Sequence, residues 1–286
     1  MISVVLATYN EEKNIERCLD AVKDWVDEMI VVDGTSADST RELAAELGAK
    51  VIKTTNKPNF HINKQMAIDK ARGELILQLD ADEVVDQELK DFINQVHQKL
   101  MANPSLVKES AWYVKRKNLF MGQWLRKGGQ YPDPVIRLFV KGKAYLPQKD
   151  VHEQMKVEGL VGTAEGHLLH YANPRFKDYL RKFNTYTSFK ATQLEEQGLE
   201  LDLFNSLNYL LIKPIFTFFN LYLRHKGFVD GLPGLIFAAM SGYHHHVAYL
   251  KLGESYRLKK LAENQSQAKI EIKADKIGIK VENQDN

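Results

Sequence analysis

The sequence of 286 residues predicts an α/β protein, built on a mostly parallel sheet with helices on both faces. Short apolar, β-branched runs alternate with segments whose apolar residues recur every three or four positions. Polar residues follow the apolar runs where each of them ends. Apolar residues make up 44% of the chain and charged residues 27%, so a packed core is possible and disorder throughout is excluded.

The predicted strands are short and nearly continuous in apolar character. They lie at residues 2–7, 29–32, 51–52 and 75–79. Strands of this kind are typical of parallel sheets that are covered on both faces. Segments 15–26 and 43–47 have the apolar spacing of amphipathic helices, and Gly48 is a typical residue to end the second one. We therefore expect a βαβαβ series with right-handed crossovers and a ligand site beyond the carboxyl ends of the strands.

The charge balance and the cysteine content exclude several classes of protein. Lysine and arginine number 39 against 37 acidic residues, a net charge of +2, so nucleic acid is not an expected partner. Cys18 is the single cysteine and lies in the apolar stripe of the first helix, which excludes an intramolecular disulfide and a cysteine-based zinc site. The N-terminus lacks the basic segment and the cleavage site of a secretory signal, so we expect a cytoplasmic protein.

Three of the predicted strands are followed by polar residues that include a carboxylate. These residues are Thr8, Tyr9, Asn10 and Glu11 after the first strand, Asp33 after the second, and Asp80, Asp82 and Glu83 after the fourth. Loops of average composition would seldom place a carboxylate at three strand ends of one sheet. The pattern therefore predicts one shared site.

The run Asp80-Ala-Asp82-Glu83 is the most informative of these segments. Two carboxylates two residues apart at a strand end can both bind one hard divalent cation, with phosphate oxygens of a substrate completing its coordination. Alternatively, Asp82 or Glu83 caps the following helix, although Asp86 is better placed for that role. The other polar strand ends favour binding of a metal ion and a diphosphate.

Segment 33–40 combines a possible ligand residue with the start of a helix. Thr35 or Ser36 is a suitable N-cap, with Asp38 in the first helical turn. Asp33 precedes the cap and lies at the strand end, where a carboxylate can accept a hydrogen bond from a base N–H or a ribose hydroxyl. We therefore expect Asp33 to bind a ligand and Ser36 and Asp38 to belong to the helix start.

These stretches, taken together, resemble a known family. The stretches similar to family 2 glycosyltransferases with a GT-A fold are Val4–Glu11, Val31–Thr40 and Leu79–Glu83, in that order. Stretches similar to a bacterial subgroup that includes lipopolysaccharide-core β-glucosyltransferases are Ile136–Phe139, Val151–Glu153 and His170–Tyr171. The resemblance extends from residue 2 to about residue 250.

The resemblance implies an inverting transfer of a hexose from a nucleotide-diphosphate sugar, most often a UDP sugar, with Mg²⁺ or Mn²⁺. The residues that it assigns to the base and the ribose are Thr8, Tyr9, Glu11 and Asp33. Lys64 would approach the donor, Asp80 would contact the ribose or the metal ion, and Asp82 would bind the metal ion. Many relatives have a second aspartate where this chain has Val32, so one acidic position of the family pattern is absent.

The chemistry of such a transfer fits residues of these types. Displacing a diphosphate from an anomeric carbon develops negative charge on the leaving group, which a divalent cation stabilises. The acceptor hydroxyl needs a carboxylate base on the opposite face of the sugar. Glu153 is the candidate base because it matches the family's base position, with Asp133 and Asp150 as rivals and a solvated surface carboxylate as the alternative.

Further candidates lie downstream of the first hundred residues. Arg137 is expected to contact the acceptor or a phosphate, or else to pair with a carboxylate. His152 is expected to contact the metal ion or the donor phosphate, and His170 to face the site, with a structural histidine as the alternative for both. Segment 124–129 carries Trp124, two basic residues and two glycines, and would form an acceptor platform, a lid or a plain loop.

The last third of the chain is predicted to be helical over 175–196, 203–223 and 231–250. The second segment has one charged residue, the third has none, and basic and aromatic residues flank both. This pattern favours helices that lie in a membrane interface over helices that cross a membrane. An oligomer interface or a buried helical subdomain are the alternatives.

Two smaller features of this region also carry predictions. Residues His244–His246 cannot all face one ion, because neighbouring residues on a helix point about 100° apart, so we expect them at a headgroup-facing edge. Segment 269–281 alternates apolar and polar residues with period two, which predicts a small hairpin or a loosely ordered tail.

The expected organisation has three parts: a GT-A catalytic domain at 1–172, an amphipathic helical region at 173–262 and a charged tail at 263–286. The expected function is a metal-dependent hexosyltransferase on the inner face of the plasma membrane. Its acceptor would be a saccharide or a lipid-linked molecule in lipopolysaccharide or cell-surface polysaccharide synthesis. A polypeptide or soluble acceptor is the alternative if the helices do not bind a membrane surface.

Two other classes of protein remain open. A nucleotidyltransferase generally carries a glycine-rich, basic loop after the first strand, where this chain has Thr8-Tyr9-Asn10-Glu11. A non-catalytic, membrane-associated binding module is disfavoured by Asp80, Asp82 and Glu153.

Overall fold

The computed structural model describes residues 1–57, 59–148 and 154–277, with side chains in these ranges up to residue 266. The chain divides into two compact units, Met1–Phe176 and Lys177–Asn286.

The first unit contains an α/β arrangement, as predicted. Its strands are β1 (Ile2–Thr8), β2 (Glu28–Asp33), β3 (Lys50–Lys53), β4 (Leu75–Leu79), β5 (Glu83–Val85), β6 (Glu109–Phe120), β7 (Gln123–Trp124), β8 (Asp133–Val140), β9 (Ala144–Tyr145), β10 (Lys156–Val157) and β11 (Leu160–Asn173). Its helices are α1 (Ile15–Asp20), α2 (Thr40–Glu46), α3 (Phe60–Lys70) and α4 (Gln87–Ala102), with a 3₁₀ turn at Pro104–Leu106.

The main sheet has the strand order β3-β2-β1-β4-β8-β6-β11-β5, with β7 paired to β6. Strands β3, β2, β1 and β4 are parallel, whereas β8 is antiparallel to both of its neighbours. The sheet is therefore mixed beyond β4. The connection from β6 to β8, residues 121–132, has turns and β7 in place of a helix, and a parallel crossover generally needs a helix.

Helices cover both faces of the sheet. On one face, α1, α2 and α4 contribute Cys18, Ala44 and Leu89 to a core that also contains Leu6 of β1. On the other face, α3 packs on the sheet through Ala67 and Ile68. Successive strand residues point to opposite faces, and both faces are covered, so all positions of β1, β2 and β4 except Ala7 and Glu28 are buried. This double cover explains their continuous apolar character and confirms the predicted fold class.

Cys18 belongs to this core, as its place in the apolar stripe predicts. Its Sγ lies 3.6 Å from the carbonyl oxygen of Asp80. Burial raises the pKa of the Cys18 thiol well above its usual range, so the group stays protonated and packs as a small apolar side chain.

The second unit is helical, as predicted. Its helices are α5 (Phe176–Glu196), which begins at the boundary, α6 (Leu203–Leu207), α7 (Lys213–Phe219) and α8 (Gly231–Ile277), with π turns at Asn208–Ile212 and Asn220–Arg224 and a 3₁₀ turn at Gly227–Asp230. A small core joins α5, the first π turn and α8 through Leu194, Tyr209 and Leu252. The rings of Tyr209 and Tyr249 stack with centroids 5.3 Å apart.

Helix α8 extends further than expected. Its backbone stays helical to Ile277, so residues 269–277 of the period-two segment do not form a strand of a hairpin, and residues 278–281 lie outside the described residues. The preceding stretch, 257–264, consists mostly of strong helix formers, and an established helix propagates into the next residues at little cost. Among the helices that the structure describes, none combines the length and the apolar character that crossing a bilayer requires.

The three consecutive histidines are half-buried in the helical unit, and their place at a headgroup-facing edge stays a prediction. His245 Nε2 lies 3.0 Å from Thr217 Oγ1, and the His244 ring packs edge-on against Phe183. Burial lowers the pKa of His245 to about 4, with further lowering by the neighbouring histidines and lysines. At neutral pH this side chain is uncharged and serves packing.

Candidate active site

The carboxyl ends of β1 and β2 lie side by side, with Thr8 paired to Asp33. The Asp33 side chain is 0% exposed. Its carboxylate accepts hydrogen bonds from Thr8 Oγ1 at 3.1 Å, the Ser36 backbone N at 2.8 Å and Ser36 Oγ at 2.5 Å. Arg41 Nε lies 4.0 Å away. A base or ribose that binds Asp33 would have to replace one of these donors.

The loops after β1 and β2 are fastened to each other. Ser36 Oγ accepts the backbone N–H of Asn10 at 2.9 Å, and Asn10 Oδ1 accepts the N–H of Ala37 at 2.8 Å. Asp38 accepts the backbone N–H groups of Glu12 and Thr40, and α2 begins at Thr40. Ser36 therefore joins the two loops and does not cap α2, which corrects its predicted role. Asp38 precedes the first helical turn, but its carboxylate accepts the N–H of Thr40, the first residue of α2.

Two other residues assigned to the donor lie on the first loop. Tyr9 is 48% exposed. Glu11 is half-buried: its backbone N–H donates to Thr40 Oγ1 at 2.8 Å, and its Oε2 accepts from Asn14 Nδ2 at 2.8 Å. The structure thus brings Thr8, Tyr9, Glu11 and Asp33 to one edge of the sheet, with Tyr9 the most exposed of the four.

Asp80, directly after β4, is held by two cations. Lys64 Nζ, from α3, lies 2.5 Å from Asp80 Oδ1, and Arg137 Nη2, from β8, donates to Asp80 Oδ2. Burial raises the pKa of the Asp80 carboxyl, but the charges of Arg137 and Lys64 outweigh burial and hold this pKa well below its usual range. The carboxylate therefore stays ionised and orients both cations.

Arg137 is buried and serves more than one carboxylate. Its Nη2 also donates to Glu83 Oε1 at 2.9 Å, and its Nη1 donates to Gln78 Oε1. Burial lowers the pKa of the Arg137 guanidinium, but the charges of Asp80 and Glu83 more than reverse this and raise it. Arg137 thus fulfils the predicted alternative of pairing with a carboxylate, while it also borders a cavity described below.

The ion-pair network continues onto β6. Arg116 lies 3.4 Å from the fully buried Glu83 and 2.7 Å from Asp133 Oδ2. Asn118 Nδ2 donates to the same Asp133 oxygen at 3.1 Å. Arg116 and Asn118 are two positions apart on one strand, so their side chains share a face. Neither was a sequence candidate, since the only signal is a pair of polar residues in a strand whose partners are unknown beforehand.

Asp82 lies beside His170, which comes from β11. His170 Nε2 is 3.4 Å from Asp82 Oδ2, and His170 Nδ1 is 2.6 Å from Asn118 Oδ1. The backbone N–H of Tyr171 donates to the carbonyl oxygen of Asp82 at 2.8 Å, which attaches the Asp82 turn to β11. The expectation that His170 faces the site agrees with this position, and the neighbouring Asp82 is the second carboxylate of the Asp80-Ala-Asp82 run.

A second group of potential ligands consists of Asp86, Glu88 and His167, whose ligand atoms lie within 4.8 Å of one another. Asp86 caps α4, because its Oδ1 accepts the N–H of Leu89 at 2.9 Å, as the sequence predicts. Its Oδ2 lies 3.1 Å from His167 Nδ1, and His167 Nε2 lies 3.0 Å from the hydroxyl of Tyr131. These contacts already use both ring nitrogens of His167 and join α4 to β11.

A cavity of about 150 Å³ borders the ion-pair network. Lys64 and Arg137 line it, together with residues on both sides of segment 149–153, namely Leu146, Gln154 and Met155. Segment 149–153 contains the candidate base Glu153, its rival Asp150 and the candidate contact residue His152, and it lies outside the described residues.

Segment 124–129 begins in β7. The half-buried Trp124 ring contacts the Tyr171 ring edge-on, with centroids 5.2 Å apart, and the guanidinium of Arg17 lies 3.6 Å from the Tyr171 centroid. Trp124 therefore packs beside the residue that follows His170. Its roles as an acceptor platform or a lid remain predictions.

Comparisons with known proteins bear on this site. Residues 3–123 match the model of a family described as glycosyl transferase family 2. The chain is 28% identical over 264 residues to an uncharacterized glycosyltransferase of Rickettsia typhi, an alignment that covers 88% of this chain and 87% of that protein. It is 27% identical over 258 residues to LpsC, a lipopolysaccharide core biosynthesis glycosyltransferase of Rhizobium meliloti. That alignment covers 84% of this chain and 90% of LpsC.

A similar solved structure is that of S. aureus TarS 1–349 in complex with UDP-GlcNAc. It aligns with a TM-score of 0.44 and 16% identity over 93% of this chain and 92% of that chain. The family model spans β1, β2 and β4 and the polar residues that follow each of them. Residues 3–123 are therefore similar to glycosyl transferase family 2.

Proposed function

We propose that the chain is an inverting, metal-dependent glycosyltransferase that moves a hexose from a UDP-sugar to a saccharide or lipid-linked acceptor. The reaction would belong to lipopolysaccharide or cell-surface polysaccharide synthesis, on the inner face of the plasma membrane. The similarity to family 2 supports the transferase class, and the similarity to LpsC over most of both chains supports the pathway. The observation that carries the proposal is the arrangement of Asp82, His170 and Asn118.

The hydrogen bonds of Asn118 determine where the ring proton of His170 lies. Asn118 Nδ2 donates to the carbonyl oxygen of Gln130 at 3.0 Å and to Asp133 Oδ2 at 3.1 Å, so its Oδ1 faces His170. An amide oxygen only accepts, and His170 Nδ1 therefore carries the hydrogen. In the neutral ring, Nε2 then directs a lone pair towards Asp82 Oδ2, 3.4 Å away.

A lone pair that faces a carboxylate oxygen favours a cation bound to both. Asp82 and His170 therefore fit a divalent ion such as Mn²⁺ or Mg²⁺, and Asn118 orients the histidine ligand from behind, an arrangement common at metal sites. Alternatively, a proton on His170 Nε2 would be donated to Asp82 Oδ2. Metal titration distinguishes a bound cation from such a proton. A bound divalent ion would neutralise charge on the departing diphosphate.

Asp80 and Asp82 have different surroundings, and we propose different roles for them. Asp80 orients Lys64 and Arg137, whose cationic groups border the cavity and would attract a diphosphate. Asp80 would contact the ribose or the metal ion only by releasing one of these cations. The metal-binding role therefore falls first to Asp82, together with His170.

Glu153 remains the proposed base. The residue that follows it, Gln154, lines the cavity that Lys64 and Arg137 border. A carboxylate at this place would accept the proton of the acceptor hydroxyl as the hydroxyl oxygen attacks the anomeric carbon. Asp133 is the weaker candidate, because Arg116 and Asn118 already donate to its Oδ2.

The test is calorimetric titration of UDP, GDP and ADP into the full chain, with and without Mn²⁺. We expect Mn²⁺-dependent binding of UDP that Asp82→Asn abolishes. Glu88→Gln is the matched control, because Glu88 belongs to the second group of potential ligands and is exposed. Loss of the Mn²⁺ effect in Glu88→Gln but not in Asp82→Asn would assign the metal site to the second group of potential ligands. Failure of all three nucleotides to bind would overturn the proposed reaction.

A further inference from the structure

One side of the helical unit exposes a continuous apolar surface. Residues 203–224 form one uninterrupted helical stretch from α6 through α7 and the two π turns. We define the docking face by six of its side chains, Leu207, Leu211, Ile215, Phe216, Phe219 and Leu223, which are between 46% and 66% exposed. Apolar side chains this exposed and this contiguous mark an interaction surface.

The helix geometry keeps these side chains on one side. Leu207, Leu211, Ile215, Phe219 and Leu223 recur every fourth residue. In a regular α-helix, each step of four residues turns about 40° beyond a full turn, so the row would wind around the axis. The π turns at Asn208–Ile212 and Asn220–Arg224 are wider than α-helical turns and reduce this drift.

The opposite side of the same stretch is already covered. Tyr209 is buried and stacks on Tyr249 of α8. Pro214 is buried against Gly242 of α8, where an added Cβ would lie 2.6 Å from the Pro214 carbonyl oxygen. This close packing on α8 fixes the rotation of the helix. The docking face therefore points away from the core of its own unit.

The charges around the docking face have one sign. The stretch from 203 to 229 contains Lys213, Arg224 and Lys226 and no aspartate or glutamate. Lys213 Nζ lies 3.6 Å from the ring centroid of the buried Tyr209, so the exposed basic residues beside the face are Arg224 and Lys226. Arg224 borders a shallow groove of about 550 Å³ that Phe216, Phe219 and Leu223 also line. A basic rim around exposed aromatic and aliphatic side chains is typical of helices that lie in the headgroup region of an anionic bilayer.

The same charges disfavour a second copy of this chain as the occupant. In a symmetric dimer the face would meet itself, and Arg224 and Lys226 would oppose the same basic residues without a carboxylate in the stretch to neutralise them. Phospholipids with an anionic headgroup provide both the apolar phase and the opposite charge.

We propose that the docking face binds the surface of a bilayer that contains anionic phospholipids, with its apolar side chains at the acyl boundary and Arg224 and Lys226 on the headgroups. The inference rests on the proposed function only for its biological setting, a lipid-linked acceptor at that surface. It assigns the membrane contact to the stretch 203–224 rather than to segment 231–250, where His245 contacts Thr217 and Tyr249 stacks on Tyr209 within the unit.

The test is co-sedimentation of the full chain with phosphatidylcholine vesicles, with and without phosphatidylglycerol. We expect binding that depends on phosphatidylglycerol and is weakened at least about tenfold by the double change Phe216→Ser and Phe219→Ser. Arg224→Gln with Lys226→Gln should remove the dependence on anionic lipid. Matched controls are Leu106→Ser with Leu160→Ser, and Lys53→Gln with Lys70→Gln, which change exposed residues of the first unit.

Each outcome decides the proposal. Vesicle binding that is absent, or equal in the docking-face variants and the controls, overturns it. A concentration-dependent dimer in light scattering that the Phe216 and Phe219 changes disrupt would assign the face to a second copy instead. Titration of UDP with Mn²⁺ on the same samples separates the two proposals, because a chain that binds UDP but no vesicles refutes only the membrane contact.

Discussion

Asn118 Oδ1 lies 2.6 Å from His170 Nδ1, and this contact assigns the ring hydrogen of His170. The Asn118 amide is itself oriented by Gln130 and Asp133, and Asp133 is held by Arg116. A chain of polar contacts across β6, β8 and β11 therefore determines which ring nitrogen faces Asp82.

The first prediction concerns His170, the proposed metal ligand on β11. His170→Ala should weaken Mn²⁺ binding at least about tenfold, because it removes a ligand next to Asp82. Electron paramagnetic resonance of free Mn²⁺ measures this directly. His167→Ala is the matched control, since His167 lies on the same strand but contacts Asp86 and Tyr131. Equal weakening in both variants would contradict the assignment of His170.

Asn118→Ala tests the orienting contact separately. We expect about 10- to 100-fold weaker Mn²⁺ binding, the usual consequence of losing the partner that fixes a histidine ligand. His170 would remain but its tautomer would no longer be determined. An unchanged Mn²⁺ affinity, in a variant whose thermal unfolding is cooperative, would show that the tautomer is fixed in another way.

Arg137→Met should lower the free energy of unfolding by about 3–5 kcal/mol. The change leaves the buried Glu83 and the partly buried Asp80 without their shared cation, and uncompensated buried charge is costly. Urea unfolding measures the loss. Arg72→Met removes a surface partner of Glu28 and should cost about 1 kcal/mol or less. The double change Glu83→Gln with Arg137→Met should recover part of the loss, and a further loss would contradict this origin.

The ionised Asp80 makes stability depend on pH at the acid end. Its pKa is depressed in the folded state, whereas an aspartate of the unfolded chain titrates near about 3.9. Below about pH 4 the unfolded chain binds a proton at this site and the folded chain does not. The stabilisation is therefore present above this pH and is lost progressively as pH falls, at up to about 1.4 kcal/mol per pH unit.

Asp80→Asn should remove this part of the acid dependence. The measurement is urea unfolding of both proteins over a pH series that extends below the pKa of free aspartate. Asp91→Asn, at an exposed position of α4, controls for the substitution itself. Parallel pH profiles for wild type and Asp80→Asn would contradict the prediction.

Glu153→Gln tests the proposed base against its rival Asp133. We expect kcat to fall about 10²- to 10⁴-fold with donor binding unchanged, because a general base contributes to turnover and not to donor affinity. Asp133→Asn should instead weaken Mn²⁺ binding, since Asp133 helps to orient Asn118. Steady-state turnover and UDP titration measure the two effects. A fall in kcat with unchanged donor binding in Asp133→Asn, and not in Glu153→Gln, would identify Asp133 as the base.

Two glycines with similar backbone conformations provide a packing test. Gly166 has φ +78°, and a Cβ there would lie 2.1 Å from the backbone N of Leu89 at the start of α4. Gly48 has φ +85° with no atom within 4 Å of such a Cβ. Gly48→Ala should cost about 1–2 kcal/mol, the backbone penalty alone, whereas Gly166→Ala should cost more than about 4 kcal/mol. Similar losses of unfolding free energy in the two variants would mean that the start of α4 shifts readily to make room for the added Cβ at position 166.

Local pattern determined the strands of the parallel half and the residues at their ends. Strands predicted at 2–7, 29–32 and 75–79 are found at Ile2–Thr8, Glu28–Asp33 and Leu75–Leu79. Burial on both faces requires apolar side chains at every position, and such a run is visible in the sequence. Gly48 ends α2 with a positive φ, as expected, because few other residues adopt that conformation readily.

The roles of the polar residues depended on partners distant in the chain. Asp33 and Asp80 both follow strands, yet Asp33 is enclosed by Ser36 and Thr8, and Asp80 is held by Lys64 and Arg137. The sequence alone could not distinguish Asp80 from Asp82, since both are carboxylates at one strand end. Their difference arises from which cation each one meets after the sheet assembles.

The sequence by itself determined the α/β class, the parallel strands and the helical C-terminal region, because each follows from the spacing of apolar residues along the chain. It also determined which polar residues follow those strands. Only the tertiary structure decided the mixed half of the sheet, the proton position on His170 and the direction of the docking face. These depend on hydrogen bonds, ion pairs and packing between segments far apart in sequence, and no local pattern specifies such partners.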